Sequence, residues 1–235
     1  MATITEANRA YFDKQASEYD AQPWQKTMNS MISRNIQDRR DWLGLKENAE
    51  KKEVRFLDYA CGSGQVSRAL WPRITASRGI DLAPNMVQVF NSHAESTGLT
   101  PEQMTAVQGD LLANDPESHL SDPSLFNFDF AAVGLGFHHF DDVLEATKRL
   151  SARLKPGGVF FVVDFVSDHE KEIPHAFKGI ITINGFNESG MRTLFEEAGL
   201  VEFGFSIFDE QAEMYYGGVK RCKTVFMAKG TKPLQ

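Results

Sequence analysis

Short apolar segments alternate with helix-like segments between residues 54 and 163, and this alternation constrains the fold more than any other feature of the chain. The expected strands are Val54–Asp58, Ser77–Asp81, Met104–Gln108, Phe128–Val133 and Val159–Val163. Helical patterns lie between them at Gln65–Trp71, after Pro84 and after Asp141. Strands separated by helices pair in parallel through right-handed crossovers, so the sequence predicts an α/β sheet.

The flanking segments extend this sheet. About fifty residues before it have a helical pattern, and after it a helix is expected at Glu188–Ala198. Two further β-rich stretches, Val201–Phe208 and Cys222–Ala228, are joined by Asp209–Arg221, which we expect to be a long hairpin connection. We therefore expect one domain over residues 1–235, with an N-terminal helical cover (1–50), a sheet core (54–165) and a C-terminal segment (166–235).

Composition narrows the possible partners. Apolar residues make up 42% and charged residues 24% of the chain, as in ordinary globular proteins. The net charge of −7 argues against nucleic acid as a partner, and no apolar stretch is long enough to span a bilayer. Two cysteines, Cys61 and Cys222, and an N-terminus without a secretory or transit pattern predict a reducing, cytoplasmic location.

A glycine-rich turn, Asp58-Tyr-Ala-Cys-Gly-Ser-Gly64, joins the first expected strand to the first helix. Glycines allow a ligand to approach the backbone closely. Acidic residues close three expected strands, namely Asp58, Asp81 and Asp110. An acid at the end of the second strand of such a unit accepts hydrogen bonds from ribose hydroxyls, and Asp110 is placed to accept an adenine amino group. The pattern predicts a nucleoside-containing ligand in the crevice at the strand ends.

The same turn argues against phosphate-bearing ligands. Ser67 stands where the dinucleotide fingerprint has glycine or alanine, and no Gly-Lys-Ser/Thr follows the glycines. The carboxylate of Asp58 would add negative charge next to a pyrophosphate. These residues favour an adenosine ligand that carries a cation.

An ordered set of motifs supplies a resemblance to a known family. The set comprises Phe56–Gly64, Gly79–Met86, Gly109–Leu111, Phe128–Phe130 with His138-His139-Phe140, and Leu154–Gly158. It resembles the class I S-adenosylmethionine-dependent methyltransferases, in particular the small-molecule group that includes the ubiquinone-pathway enzymes. The N-terminal segment from Tyr11 to Asp20 resembles the helix that covers the cofactor in that group. Ala60 departs from the family pattern, which has glycine at that position.

The resemblance implies a Rossmann-like, seven-stranded, mostly parallel sheet with helices on both faces. It also implies S-adenosylmethionine as the cofactor and S-adenosylhomocysteine as its product. Asp58 and the backbone around Ala60, Gly62 and Gly64 would hold the methionine half. The remaining contacts implied are Asp81 with the ribose, Leu82 and Met86 with the adenine face, Asp110 and Leu111 with the adenine edge, and Tyr19 with the sulfonium region.

On the acceptor side, His138 and His139 follow the fourth expected strand. If the backbone there is strand-like, the two side chains point in opposite directions, so at most one faces the site and the pair does not chelate a metal. One histidine would then act as a base, or else one packs and the other caps the next helix. Weaker base candidates are His175, Tyr215 and Tyr216. Phenylalanines that could form an aromatic acceptor pocket are Phe137, Phe140, Phe165, Phe177 and Phe186.

These observations predict a methyltransferase that acts on a small apolar or aromatic metabolite, without nucleic acid, membrane or metal, as a monomer or homodimer. Two alternatives stay open. One is a repurposed, non-catalytic protein of the same fold that binds S-adenosylmethionine. The other is a nicotinamide-dependent oxidoreductase, which the residue at position 67 disfavours.

Overall fold

The computed structural model describes residues 3–46, 52–168, 173, 177–216 and 219–234. Its helices are α1 (Ile4–Gln15), α2 (Pro23–Asp38), α3 (Arg40–Leu43), α4 (Gln65–Leu70), α5 (Pro84–Ser96), α6 (Val143–Ala152) and α7 (Glu188–Glu197). Its strands are β1 (Arg55–Tyr59), β2 (Ala76–Asp81), β3 (Met104–Gln108), β4 (Phe128–Gly134), β5 (Leu154–Phe165), β6 (Val201–Tyr216) and β7 (Val219–Thr231). Short 3₁₀ helices lie at Ala16–Glu18, Ser118–Ser121, Pro123–Leu125 and Phe137–His139.

The strands form one seven-stranded sheet in the order β3-β2-β1-β4-β5-β7-β6. Strands β1 to β5 pair in parallel, and β7 lies antiparallel between β5 and β6. The predicted seven-stranded, mostly parallel sheet is therefore confirmed. The register pairs Asp58 with Gly79 and Asp81 with Gln108, so the carboxyl ends of β1, β2 and β3 lie side by side.

Helices cover both faces of the sheet. On one face, Ile32 and Ile36 of α2 pack with Phe56 and Phe161. On the other face, α6 and α7 cover a second apolar cluster that includes Phe160 and Phe195. Because Phe160 and Phe161 are neighbours on β5, they point to opposite faces, and both are fully buried. This explains the unbroken apolar sequence of β5.

The N-terminal helices are fastened to the sheet domain at several points. Asp13 of α1 accepts a hydrogen bond from the Asn85 backbone nitrogen (2.8 Å), at the first turn of α5. The backbone carbonyl of Asn29 in α2 accepts one from Gln65 of α4 (2.8 Å). Within the described ranges, no helix is long and apolar enough to cross a membrane.

The expectation of a hairpin connection over Asp209–Arg221 is wrong. Strands β6 and β7 continue through this region and pair from Gln211 with Thr224 to Tyr216 with Val219. Ala212 and Met214 are buried between more exposed neighbours, which is the period-two pattern of a strand with one covered face. Polar residues at the alternate positions conceal this pattern in the sequence.

Gly64 offers a test of how tightly the turn after β1 is packed. Its φ is +86°, and a Cβ atom there would lie 2.6 Å from the buried ring of Phe90. Gly62 has φ +50° but no atom within 4 Å of the same position. Gly62→Ala should therefore cost only the left-handed backbone strain of about 1–2 kcal/mol. Gly64→Ala should cost about 1–3 kcal/mol more, because the ring must move. Urea unfolding of both variants measures the difference, and equal losses would contradict the packing described.

Candidate functional site

The turn from β1 to α4 is held in a left-handed conformation by hydrogen bonds. Ala60, Gly62 and Gly64 have φ of 54°, 50° and 86°. The Gly64 nitrogen donates to the Cys61 carbonyl (2.8 Å), and the Cys61 nitrogen donates to the Ile80 carbonyl of β2 (3.2 Å). An alanine in this region costs about 1–2 kcal/mol, so Ala60 marks local strain in the turn.

Asp81, the last residue of β2, organises this turn. Its Oδ2 accepts from the Gly62 nitrogen (2.8 Å) and its Oδ1 from the Ala83 nitrogen (2.9 Å). Burial raises the pKa of Asp81, and the backbone hydrogen bonds oppose the rise. Each carboxylate oxygen has two acceptor positions, so Asp81 can still accept hydrogen bonds from a ligand.

Asp58, near the end of β1, is a buried carboxylate whose charge is poorly compensated. Its Oδ2 accepts from the hydroxyl (2.6 Å) and the backbone nitrogen (3.1 Å) of Ser67. Burial nevertheless raises the pKa of Asp58 to about 7, because desolvation outweighs these bonds. Sequence reasoning used Ser67 only to exclude a dinucleotide; the structure shows that it holds Asp58. A nearby cation would stabilise the ionised form.

Asp110 follows β3 and lies against Tyr59. The Tyr59 hydroxyl donates to Asp110 Oδ1 (3.2 Å), which also accepts from the Leu112 nitrogen (2.8 Å). Burial first, and then the charge of Asp110, raise the pKa of Tyr59 well above its usual value. Tyr59 therefore stays protonated and orients the carboxylate.

A first cavity of about 480 Å³ lies over these strand ends. Eight of the ten residues predicted to hold the cofactor are in its wall: Tyr19, Asp58, Ala60, Gly62, Asp81, Leu82, Met86 and Asp110. Gly64 is instead at the start of α4 beside Phe90, and the side chain of Leu111 is buried in the core, while Leu112 lines the cavity. Sequence reasoning missed Leu112 because it could not tell which of two adjacent leucines faces inward.

The first cavity is strongly acidic. Among the described residues its wall contains six carboxylates against two arginines, Arg9 and Arg149. Arg149 already pairs with Glu145 at 2.6 Å. Only Asp58 and Asp81 of the six carboxylates are buried, and their charges are unfavourable unless a cation neutralises them. The cavity therefore fits a ligand with positively charged groups, such as the sulfonium and ammonium of S-adenosylmethionine, better than a pyrophosphate.

A second cavity of about 440 Å³ adjoins the first. The two share four wall residues, which we call the junction: Phe12, Tyr19, Leu135 and His139. Beyond the junction the second cavity is lined mainly by apolar side chains, among them Trp24, Met28, Phe165, Phe177, Ile180 and Ile183.

The five phenylalanines expected around an acceptor separate into three groups. Phe165 and Phe177 line the second cavity, and Phe140 lines the first. Phe137 and Phe186 are instead part of the core. The predicted aromatic set is thus only partly assembled at one place.

His138 and His139 lie on a short 3₁₀ helix and not on an extended strand. Leu135 has a φ of 55° and ends the extended backbone of β4, so His138 and His139 lie on a 3₁₀ helix with ring centroids 4.1 Å apart. The expectation that they point in opposite directions is therefore wrong. Neither caps α6, because Asp142 accepts from the Glu145 nitrogen there (2.8 Å). Both histidines line the second cavity, and His139 also lines the first.

His138 is paired with a buried aspartate. Its Nδ1 lies 2.8 Å from Asp164 Oδ1, and its backbone nitrogen donates to Asp164 Oδ2 (3.1 Å). Asp164 is the second-to-last residue of β5, and its side chain is fully buried. A carboxylate only accepts, so Nδ1 carries the hydrogen and the neutral ring keeps its lone pair on Nε2. Asp164 was missed because β5 was recognised only as an apolar run.

His139 is held in the same tautomer by a different group. Its Nδ1 donates to the Ile180 carbonyl (2.6 Å). Burial, followed by the neighbouring His138, lowers the pKa of His139 to about 3. His139 is therefore neutral at physiological pH and suits hydrogen-bond acceptance better than proton removal.

Of the three weaker base candidates, the structure describes the side chain of Tyr215 alone. Tyr215 is 44% exposed on β6. His175 and the side chain of Tyr216 lie outside the described residues. Within the described ranges, no group of three His, Cys, Asp or Glu side chains is arranged to hold a metal ion.

Solved structures define the class of fold. Magnesium protoporphyrin IX methyltransferase from Synechocystis, solved with bound S-adenosylmethionine, superposes with a TM-score of 0.63 at 14% identity, covering 99% of this chain and 98% of that one. A methyltransferase complex with the Trm112 activator from Haloferax volcanii gives a TM-score of 0.61 at 18% identity, covering 94% and 97%. The fold is therefore the Rossmann-like fold of class I methyltransferases.

Sequence comparison gives the family. Residues 3–183 match the ubiE/COQ5 methyltransferase family, and the chain belongs to it. An uncharacterised methyltransferase of Schizosaccharomyces pombe is 28% identical over 85% of this chain and 81% of its own length. A demethylmenaquinone methyltransferase of Staphylococcus aureus is 30% identical, but over only 49% of this chain and 44% of its own length. The predicted family, with S-adenosylmethionine as its cofactor, is thereby confirmed.

The state of Asp58 can be tested without any ligand. Its pKa is raised in the folded protein, so folding favours its protonated form and stability falls as pH rises from about 4 to about 7. Asn at this position keeps an acceptor for Ser67 without the charge. Asp58→Asn should therefore stabilise the ligand-free protein at pH 8 by an amount on the order of 4 kcal/mol, and by less at pH 5.

Urea unfolding at the two pH values provides the measurement. Asp41→Asn, which changes an exposed aspartate of α3, is the matched control and should show no such pH-dependent gain. A destabilised Asp58→Asn protein at pH 8 would show that the carboxylate is compensated within the fold.

Proposed function

We propose that this protein transfers a methyl group from S-adenosylmethionine to a small acceptor with an apolar or aromatic body. The cofactor occupies the first cavity and the acceptor occupies the second. The observation that carries the proposal is the junction, where Phe12, Tyr19, Leu135 and His139 belong to both walls. Two reactants held on either side of such a junction need little further motion to align, and alignment supplies much of the rate of a displacement.

Different residues of the first cavity bind different parts of the cofactor. Asp58 binds the ammonium of the methionine half, and Asp81 accepts the ribose hydroxyls while it holds Gly62 in place. Met86 and Leu82 contact the adenine, and Asp110, held by Tyr59, accepts at its edge. When bound, S-adenosylmethionine supplies an activated methyl group on its sulfonium.

On the acceptor side, His138 accepts a proton from the group that is methylated. Asp164 holds its Nδ1–H at 2.8 Å, which directs the Nε2 lone pair away from the aspartate. The buried carboxylate also stabilises the imidazolium that forms, as in other Asp–His pairs. His139 remains neutral and accepts a hydrogen bond that orients the acceptor.

The relatives support an acceptor built on rings. The partial match is named for demethylmenaquinone, and the structural neighbour is named for magnesium protoporphyrin IX. The lining of Trp24, Phe165 and Phe177 is consistent with a flat apolar body. The net charge of −7 is consistent with a small molecule rather than nucleic acid.

Calorimetric titration with S-adenosylmethionine, S-adenosylhomocysteine and NAD tests the cofactor site. We expect one binding site for each of the first two and no heat from NAD. Asp81→Asn should weaken both affinities at least about tenfold, because a charge-assisted hydrogen bond contributes about 1.5–3 kcal/mol. Asp122→Asn, outside the first cavity, is the control and should bind as the wild type does.

Three outcomes would count against the proposal in different ways. Binding of NAD alone would support the oxidoreductase alternative. Unchanged affinity in Asp81→Asn would remove that residue from the site. If the protein binds S-adenosylmethionine tightly but forms no S-adenosylhomocysteine with any acceptor of a broad panel of hydroxylated aromatic compounds, the non-catalytic alternative is favoured.

The role of His138 can be tested with an acceptor from that panel. His138→Gln should lower kcat by about 10²–10⁴-fold, the usual contribution of a positioned base, while affinity for S-adenosylhomocysteine stays the same. Asp164→Asn should lower kcat in the same direction, because a neutral amide no longer stabilises the imidazolium that forms on His138. His119→Gln, at a histidine outside both cavities, is the control. Full activity of His138→Gln would exclude a base role.

A further inference from the structure

The two cavities have opposite electrostatic character. Six carboxylates and two arginines line the first, whereas the described wall of the second contains three cationic side chains and one carboxylate, the exposed Glu18. The cations are Lys220, Arg221 and Lys223, all on β7 at the end of the β6–β7 hairpin. This local excess of positive charge occurs in a chain whose net charge is −7.

Strand geometry turns two of these cations inward. Arg221 pairs with Met214 across the hairpin and Lys223 pairs with Ala212. Directly opposed residues share a face of the sheet, and Met214 and Ala212 are 5% and 1% exposed. Arg221 and Lys223 therefore lie on the covered face, at positions where the strand pattern calls for apolar residues.

Lys220 differs from them. It occupies the other face and forms an ion pair with Glu213 at 2.7 Å. This is the ordinary arrangement of an exposed hairpin lysine, and such an ion pair contributes little to stability. The charge of Lys220 is therefore already neutralised by a neighbouring carboxylate on the same hairpin.

Arg221 differs from Lys220, because no carboxylate of the described residues forms an ion pair with it. Its Nε is buried and, within the described part of the chain, makes no hydrogen bond. A buried cationic donor without an acceptor is costly, and the cost is recovered when an anion binds. The neighbouring Lys223 is oriented by Asn184, whose side-chain oxygen accepts from Nζ at 3.2 Å. Asn184 also lines the second cavity.

We propose that the methyl acceptor carries an anionic group, a carboxylate or a phosphate, which binds Arg221 and Lys223 at the hairpin end of the second cavity. The guanidinium presents paired donors that match either group, and Lys223 adds a point charge. The apolar body of the acceptor then lies along Trp24 and Phe177 toward the junction, with the atom to be methylated near His138 and His139. This inference rests on the proposed function, because it assumes that the second cavity holds the acceptor.

Two matched fluorescent probes test the charge requirement. Anilinonaphthalene sulfonate and N-phenyl-1-naphthylamine have the same aromatic body, and only the first is an anion. Both are titrated into the full chain saturated with S-adenosylhomocysteine, which fills the first cavity. We expect the sulfonate to bind at least about tenfold more tightly than the neutral amine, as a charge-assisted hydrogen bond allows.

The variants locate the anion. Arg221→Gln should reduce affinity for the sulfonate about tenfold, and Lys223→Gln should reduce it to a lesser extent, while neither changes affinity for the neutral amine. Arg192→Gln removes an arginine on α7 that does not line the second cavity, so it should have no effect on either probe. Displacement of the sulfonate by 2-naphthoate and by 2-naphthyl phosphate, with neutral 2-naphthamide as control, distinguishes the two classes of anion.

The outcomes separate this inference from the proposed function. Absence of binding by S-adenosylhomocysteine would reject the proposed function itself. Normal binding of S-adenosylhomocysteine with equal affinity for the two probes, or with no binding of either, would overturn only the anionic acceptor. The same conclusion would follow if Arg221→Gln and Lys223→Gln both left the affinity for the sulfonate unchanged.

Discussion

The site depends on three carboxylates at the ends of neighbouring parallel strands, two of them buried and the third, Asp110, partly buried. The register of β1, β2 and β3 brings Asp58, Asp81 and Asp110 to one edge of the sheet, and burial raises the pKa of the first two. Desolvated negative charge opposes folding unless backbone donors or a bound cation stabilise it. Gly62 in the turn after β1 and Ala83 after β2 supply backbone donors for Asp81, and Ser67 supplies the donors for Asp58. In the proposed function the cofactor supplies the cation, so the charges that destabilise the empty protein would favour its binding.

The N-terminal helices complete both cavities. Phe12 and Tyr19 stand at the junction, and the contact of Asp13 with the first turn of α5 fixes α1 in that position. Phe12 packs edge-on against His139 with ring centroids 5.1 Å apart. The burial that lowers the pKa of His139 to about 3 therefore comes in part from a segment distant in sequence. Displacement of α1 would expose the junction to water and make His139 easier to protonate, which links the cover to the chemistry at the junction.

Local patterns predicted the sheet well because its strands are short, apolar and separated by clear turn residues. The acids at the strand ends were also identifiable, since parallel strands bring successive carboxyl ends together. What failed depended on tertiary context. Leu135 adopts a φ of 55° that no local pattern signals, so the strand alternation assumed for His138 and His139 did not apply. Asp164 is distant in sequence from His138, and the inward face of β6 was hidden by its polar neighbours. Partners joined across the sheet remain invisible until the register is known.

The two cavities draw their charged residues from different parts of the chain. The family match ends at residue 183, which includes the acidic cavity, the junction and both histidines. Arg221 and Lys223 lie beyond it, on a hairpin that closes the far end of the second cavity. A cationic cofactor requires the same acidic residues for every acceptor. Recognition of an acceptor instead requires residues that match that particular molecule. If Arg221 and Lys223 recognise the acceptor as proposed, their position on an antiparallel extension of the sheet allows them to change without disturbing Asp58 or Asp81. In the proposed complex an anion at Arg221 and Lys223 would face the cationic cofactor across the junction, so each ligand would favour the binding of the other.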